Sequence, residues 1–475
     1  MRVTFFLMLL VFFAVSVGGG IFLKNSFDRG SLQQVIVNRA MPNESATTTA
    51  MIERALGMEG KRTYLLLFLN NTELRPGGGF IGSYGVVSVE KGKPQIIKIE
   101  GTESLDNASA EKGLEPYPPL TKYLGIKKLQ LRDSNWSPDF SVNAKLAIQL
   151  YRDEGGVSAA DLEGVIAVTP TLFEEILKIT GPVKVGDIEF TSDNFTEKLE
   201  YEVEYGYKYR GKDFSERKDL LSELSTALMP KILASGLTHW KDYLKLVPKM
   251  LSEKQIMLYS IYEDERQYLA DQRWDGKLYE TDGDYLMWTD ANLGALKTDV
   301  AIQRSLSYSV GVSSTGKYVA TSVMKYNHTG GFTWRTTRYR NYVRIFVPKG
   351  SKIIRARGGD TPAAEKKLLT IDEGDEGNYH WFGTFISIEP GRQGKLIFEY
   401  ELSDKIAEKI KNSEYSLFVQ KQPGTPGNRL TLSLSFDKKL VSASPAESSE
   451  KFGDARYEIV SILGVDRYFQ VNLAK

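Results

Sequence analysis

The chain has 475 residues, more than one ordinary core accommodates, and its 41% hydrophobic and 25% charged content is that of a folding protein, not a disordered one. Lys and Arg number 61 against 60 Asp and Glu, a formal net charge of +1 without the basic surplus of a dedicated nucleic-acid binder. The absence of Cys excludes disulfides, thiolate-ligated zinc, iron–sulfur clusters and thiol nucleophiles, and the three His (His239, His328 and His380) show no metal-ligand spacing.

Val3–Leu23 carries no charge and spans roughly 20 residues, enough to cross about 30 Å of hydrocarbon as a helix. Arg2 precedes it and Lys24 and Arg29 follow, so flanking charge leaves its orientation open. The run (with its flanks, residues 1–24) reads as a signal anchor, a cleaved signal peptide being the alternative. A large body behind one N-terminal apolar helix is normally translocated, which places the bulk of the chain outside the cell membrane. Residues 25–60 form a juxtamembrane segment with a short helix over Ala46–Leu56, capped by Asn43 or Ser45.

Tyr64–Asn70 is a nearly continuous apolar run, the pattern of a strand buried on both faces. Strands follow at Phe80–Val89 and Ile96–Glu100 around the turn Glu90–Lys93. A helix over Phe140–Tyr151 is stopped by Gly155-Gly156; a strand at Leu162–Val168 leads into a helix over Thr171–Ile179, stopped by Gly181-Pro182. That order predicts an α/β layer domain with a mixed sheet over residues 61–300, carrying a charged helical insertion at about 191–251. Ile256–Ile261 and Tyr285–Trp288 are short strands placed to return to the same sheet. Beyond a boundary near Thr298–Gln303, short period-2 runs between Gly, Pro and Asn turns predict an all-β sandwich over residues 301–475.

Four stretches carry candidate chemistry. Asn70–Phe80 (NNTELRPGGGF) follows the first strand, at the strand end where open α/β sheets bind ligands. Gly77, Gly78 and Gly79 let main-chain N–H groups approach an anion, Arg75 can bond a phosphate through two N–H groups, and Asn71 and Glu73 stand beside them. The competing reading is a tight connection in which Arg75 pairs with Glu73. Leu131–Phe140 (LRDSNWSPDF) offers Arg132 against phosphoryl oxygens, Asp133 as a hard ligand for Mg²⁺, Asn135, and Trp136 as a stacking surface for a sugar or lipid-linked group. Its competing reading is a helix start, with Ser137 as N-cap and Asp139 given over to capping. Thr289–Asp299 reads as a hydrogen-bonded linker, the alternative being a reach back to the α/β site. Gln420–Gly424 reads as a turn.

Taken together, NNTELRPGGGFIGSYGVVSV, RDSNWSPDF, DLEGVIAVTPTLFEEILKITGPVKV, DANLGALKTD and VQKQPG resemble the bacterial envelope family known as domain of unknown function 4012, over most of the chain after the apolar segment. More remotely, the α/β part resembles the LytR–CpsA–Psr family, best over Asp161–Val185. There that family has a strand, a helix and a Gly-Gly-Val turn, and this chain has Gly181-Pro182-Val183. The resemblance implies an anchored extracytoplasmic enzyme that transfers a lipid-pyrophosphate-linked glycopolymer to the cell wall with arginines, aspartates and a divalent metal. On this chain Arg75 is the partial counterpart, and the Arg/Asp-rich loops offer Arg132 and Asp133, one element later than the family's motif, as the further catalytic residues, with Asp133 and Asp106 as ligands of Mg²⁺. Two departures stand out. Of the first Arg-x-Asp motif only Arg75 has a counterpart, with glycines where Asp belongs, and the Pro-Arg-Asp motif falls on Gly101–Asp106, which contains no Arg. They motivate a rival expectation, a non-catalytic envelope module that binds a glycan or a partner.

Overall fold

The computed structural model describes residues 46–474 apart from 215, 449 and 452. Val3–Leu23, Asn43 and Ser45 lie outside the described residues. Among those described, no helix is long and apolar enough to cross a membrane. The chain divides into two compact units. The first holds residues 46–70, Phe80–Glu115 and Lys128–Lys277; the second holds Asn71–Gly79, Pro116–Lys127 and Leu278–Lys475.

The first unit is mixed α/β. Its main strands are β1 (Arg62–Asn70), β2 (Phe80–Glu90), β3 (Lys93–Gly101) and β4 (Leu162–Val168). A separate hairpin pairs β5 (Val183–Val185) with β6 (Ile188–Phe190), and β7 (Ile256–Ser260) closes the main sheet in the order β3-β2-β1-β4-β7. β1 runs parallel to β4 and antiparallel to β2. The unbroken apolar run of β1 is explained by cover on both faces. Leu65, Leu67 and Leu69 pack with Val165 of β4 and with Phe140, Ala144, Ala147 and Tyr151 of the helix Phe140–Asp153. On the other face, Ile166 and Val168 pack with Leu172 and Ile176 of the helix Pro170–Thr180 and with Tyr243 and Val247 of the helix Trp240–Ser252. Each such side chain, fully buried, contributes about 1.5–3 kcal/mol of transfer free energy. The helix Phe140–Asp153 ends where expected. Gly155 takes φ +85°, and a Cβ on Gly156 would run into the Tyr151 ring.

The second unit is β-rich. Its strands are β8 (Asp284–Asn292), β9 (Ile302–Val312), β10 (Tyr318–His328), β11 (Tyr339–Pro348), β12 (Lys352–Gly359), β13 (Asp372–Glu376), β14 (Tyr379–Ile388), β15 (Gln393–Glu401), β16 (Glu414–Gln420), β17 (Asn428–Ser435), β18 (Leu440–Ser444), β19 (Arg456–Leu463) and β20 (Arg467–Leu473). They form a six-stranded sheet, β12-β15-β10-β9-β17-β19, and a seven-stranded sheet, β13-β14-β11-β8-β16-β20-β18. Alternate residues of both sheets, among them Leu306, Tyr308, Phe398, Val343, Phe382 and Leu417, bury one shared core, as the layers of a sandwich do.

Two expectations are corrected. β7 returns to the first sheet, but Tyr285–Trp288 does not: it lies in β8, which is central to the seven-stranded sheet between β11 and β16. All nine residues of β8 are buried, so it needs cover on both faces, and the β unit provides it. The division of the main chain therefore falls after Lys277, earlier than Thr298–Gln303, and two short upstream segments also belong to the β unit.

Candidate functional site

Arg75 is 3% exposed, and its guanidinium is turned onto protein. Nη1 donates to the main-chain oxygens of Leu74 (3.1 Å) and Asn292 (2.5 Å), and Nη2 donates to Glu73 Oε1 at 3.2 Å. Burial pushes the Glu73 carboxyl up from its ordinary range, although Arg75 beside it works the other way. Gly77, Gly78 and Gly79 are buried as well. Gly78 and Gly79 take φ of +122° and +156°, which only glycine adopts readily, and a Cβ on Gly424 would strike the carbonyl oxygen of Gly78. Asn71 Nδ2 donates to the oxygen of that same Gly424 at 3.0 Å.

Three of the four candidate stretches thus meet inside the β unit. Leu74 N–H donates to Asp299 Oδ2 (3.0 Å), Asp299 N–H to Thr72 O (3.1 Å) and Asn292 N–H to Leu74 O (2.9 Å). Gln422 Nε2 donates to the carbonyls of Arg75 (3.0 Å) and Asp290 (2.8 Å), while its Oε1 accepts from Asp290 N–H at 2.9 Å. Thr289–Asp299 is therefore no linker: it runs through β8 and the loop after it. At the centre stands Arg304, buried and unremarked in the sequence. It donates to Asp290 Oδ2 (2.6 Å), to Asp299 Oδ1 and to the Tyr339 hydroxyl (2.8 Å). Asp290 Oδ1 also accepts from Trp288 Nε1, the Tyr326 hydroxyl and Asn341 Nδ2. Those partners come from four strands, a convergence that no local spacing encodes.

The second stretch lies in the α/β unit, in a single 3₁₀ turn, Leu131–Asp133. Arg132 Nε is ion-paired with Oδ2 of Asp106, which is wholly buried in the short helix Thr102–Ala108. Asp106 also touches Glu154, a residue the sequence did not mark. Glu154 Oε1 accepts from Leu131 N–H at 2.9 Å. Asp106 Oδ1 and Glu154 Oε2 are both buried without a hydrogen-bond partner, an environment that disfavours two ionised carboxylates side by side. Burial, then the Asp106 carboxylate, pushes Glu154 up to about 8; burial likewise raises Asp106, against the pull of Arg132. Next to Asp106 on the same helix, Glu103 binds Lys218 (2.5 Å) and Arg217 (2.7 Å). Burial opposes its ionisation, but Lys218 and Arg217 outweigh burial and hold its carboxyl below the usual range.

Asp133, Asn135 and Trp136 are 5%, 2% and 4% exposed. Trp136 is a core residue and presents no face for a sugar. Asp139, not Ser137, caps the helix: its Oδ1 accepts from Ser141 N–H (2.9 Å) and Val142 N–H (3.3 Å). Ser137 instead accepts from Asp139 N–H at 2.9 Å. The fit to Mg²⁺ is poor. One oxygen of Asp106 is held by Arg132, the other faces a protonatable carboxyl, and among the described residues no three His, Asp or Glu are grouped as cation ligands.

Residues 59–204 match the family model described as protein of unknown function (DUF4012). The match ends with the helix Phe195–Glu204 and takes in most of the first half of the α/β unit together with the two short segments, Asn71–Gly79 and Pro116–Lys127, that belong to the β unit. No curated protein matches the chain. Among solved structures it is similar to a putative nutrient binding protein from Legionella pneumophila, at 7% identity and a TM-score of 0.27, over 40% of this chain and 71% of that one. The Lin1025 protein from Listeria innocua aligns at 10% identity and a TM-score of 0.25, over 45% and 77%. Leukotriene A4 hydrolase from Saccharomyces cerevisiae aligns at 9% and 0.21, over 36% of this chain and 28% of its own. Likenesses this slight carry no functional argument.

Proposed function

We propose that this chain is a membrane-anchored, extracytoplasmic protein of the bacterial cell envelope that binds a glycan and does not transfer it. The placement rests on the uncharged run Val3–Leu23 ahead of a large folded body, and on the family resemblance. The ligand class comes from the remote resemblance to LytR–CpsA–Psr enzymes, supported by β4, the helix Pro170–Thr180 and the turn at Gly181-Pro182.

The observation against transfer is the state of Arg75. A pyrophosphate clamp needs guanidinium N–H groups aimed at the ligand, whereas Arg75 directs its own at two main-chain carbonyls and Glu73. No metal step belongs to the reading, because Asp106 is engaged by Arg132 and Glu154. The test is a reaction. Full-length protein in detergent, given a polyprenyl-pyrophosphate oligosaccharide, Mg²⁺ and peptidoglycan, retains the oligosaccharide and releases no polyprenyl phosphate; release with turnover overturns the reading. A C-terminal alkaline phosphatase fusion, active only after export, checks the placement: an inactive but intact fusion refutes it.

A further inference from the structure

At the end of the first sheet where β1 and β4 begin lies a polar cleft of about 480 Å³. Lys61, Arg152, Asp161, Glu163, Ile261 and Tyr262 line it. Behind the cleft Arg62 is 5% exposed and organises the wall. Its Nε stands 3.0 Å from Glu163 Oε2, and its Nη2 donates to both oxygens of Glu265, at 3.1 and 3.0 Å. The guanidinium lies 4.5 Å from the centre of the Tyr262 ring, and the Tyr262 hydroxyl donates to Glu163 Oε1 at 2.5 Å. The Tyr262 main chain is fixed too, its N–H donating to Ser260 Oγ at 3.1 Å. A buried cation thus holds a carboxylate and an aromatic ring in one fixed arrangement at a surface opening, the kind of preorganisation a binding site needs.

We propose that this cleft is the glycan site of the reading above, on which the inference rests, and that it takes a neutral pyranose chain. Size is the first argument: small-molecule sites run from about 300 to 1,000 Å³, so a sugar ring with part of its neighbour fits. Charge is the second. Lys61 and Arg152 are matched by Asp161 and Glu163, and Arg62 is matched by Glu265, so the cleft holds no surplus to draw an anion. Sugar hydroxyls both donate and accept, so they can use the carboxylates and the cations together. The third is the wall of Tyr262 and Ile261, a half-exposed ring beside an aliphatic side chain, against which the C–H face of a pyranose packs.

The experiment applies the full-length chain in detergent to an array of neutral hexose and N-acetylhexosamine oligosaccharides, with sialylated and phosphorylated oligosaccharides and short peptides beside them. Wild type is retained on neutral oligosaccharides. Tyr262→Ala, and separately Asp161→Asn combined with Arg152→Gln at exposed positions, weaken retention by at least about tenfold, the loss of roughly 1.4 kcal/mol. Tyr262→Phe keeps the ring and binds nearly as wild type, which separates loss of the surface from loss of the fold. Equal retention of wild type and every variant removes the cleft while leaving glycan binding in place. Retention only on acidic oligosaccharides overturns the neutral ligand, and retention only on peptides, or on nothing, overturns the glycan reading with it.

Discussion

In the β unit Arg304 lies between Asp290 and Asp299; in the α/β unit Arg132 lies against Asp106, which touches Glu154. Both centres are one arginine and two acids. Around Arg304 every carboxylate oxygen receives a donor, from Trp288, Tyr326, Asn341, Tyr339, Asn292, the Leu74 N–H or Arg304 itself. Around Arg132 two carboxyl oxygens, Asp106 Oδ1 and Glu154 Oε2, receive none, and the Glu154 carboxyl is pushed up to about 8. Donors drawn from many strands let charge be buried permanently, while a centre built from one turn and two helices leaves a group that titrates near neutrality.

The largest effect is expected at Arg304. Arg304→Met strands two buried acids and should destabilise the β unit by about 3–5 kcal/mol in denaturant unfolding; a loss under about 1 kcal/mol would mean that the surrounding donors suffice alone. Next is Arg75. Arg75→Ala should cost about 2–3 kcal/mol, since charged donors are lost from buried carbonyls, and should leave glycan retention intact. A variant as stable as wild type that no longer holds lipid pyrophosphate would restore the phosphate clamp.

Glu154→Gln probes the other centre. The folded value of Glu154, about 8, lies above its ordinary 4.5, so the stability held by its proton is complete below about pH 4.5 and is lost as pH rises through about 8. Glutamine keeps an acceptor for the Leu131 N–H and offers an amide to Asp106. The decline of α/β-unit stability between pH 5 and pH 9, followed by hydrogen exchange at the Leu131 amide, should flatten in the variant. An unchanged profile would show that Glu154 is ionised throughout that range. The smallest change is Asp139→Ala, which removes a helix cap and should cost about 1 kcal/mol in thermal unfolding, with glycan retention unaltered.

The sequence was most legible where one strand or helix decides its own fate. Tyr64–Asn70 and Leu162–Val168 announce buried strands by composition, and Gly155-Gly156 announces a stop. β13, read as DEGDE, carries no apolar pattern because it is an edge strand, and β12 (KIIRARGG) also lies at an edge with its exposed residues charged or apolar without strict alternation. β8 misled for another reason: a strand buried on both faces fits either unit, and only its partners β11 and β16 decide. In three of the candidate stretches the polar residues are held by hydrogen bonds from distant parts of the chain. Asn71 reaches the Gly424 carbonyl, Arg75 the Asn292 carbonyl, Asp299 the Leu74 N–H and Gln422 the Arg75 carbonyl, each across more than two hundred residues, and a sequence read locally cannot see such partners. Glu154 was missed because a helix-terminal Glu looks solvated until its neighbour is known to be a buried acid.

The assignment of Asn71–Gly79 to the β unit has a consequence for how this protein is made. That segment leaves the ribosome long before β8, β16 and the Asp299 loop, so Leu74 and Arg75 stay bonded to water for roughly two hundred further residues of synthesis before their partners exist. A fragment beginning at Leu278 lacks those groups altogether, and would expose the empty seats of Asn292, Asp299 and Gln422. The two units are therefore not interchangeable cassettes: the later one is finished by two short segments that precede it in the chain, and a cut after Lys277 leaves it without them.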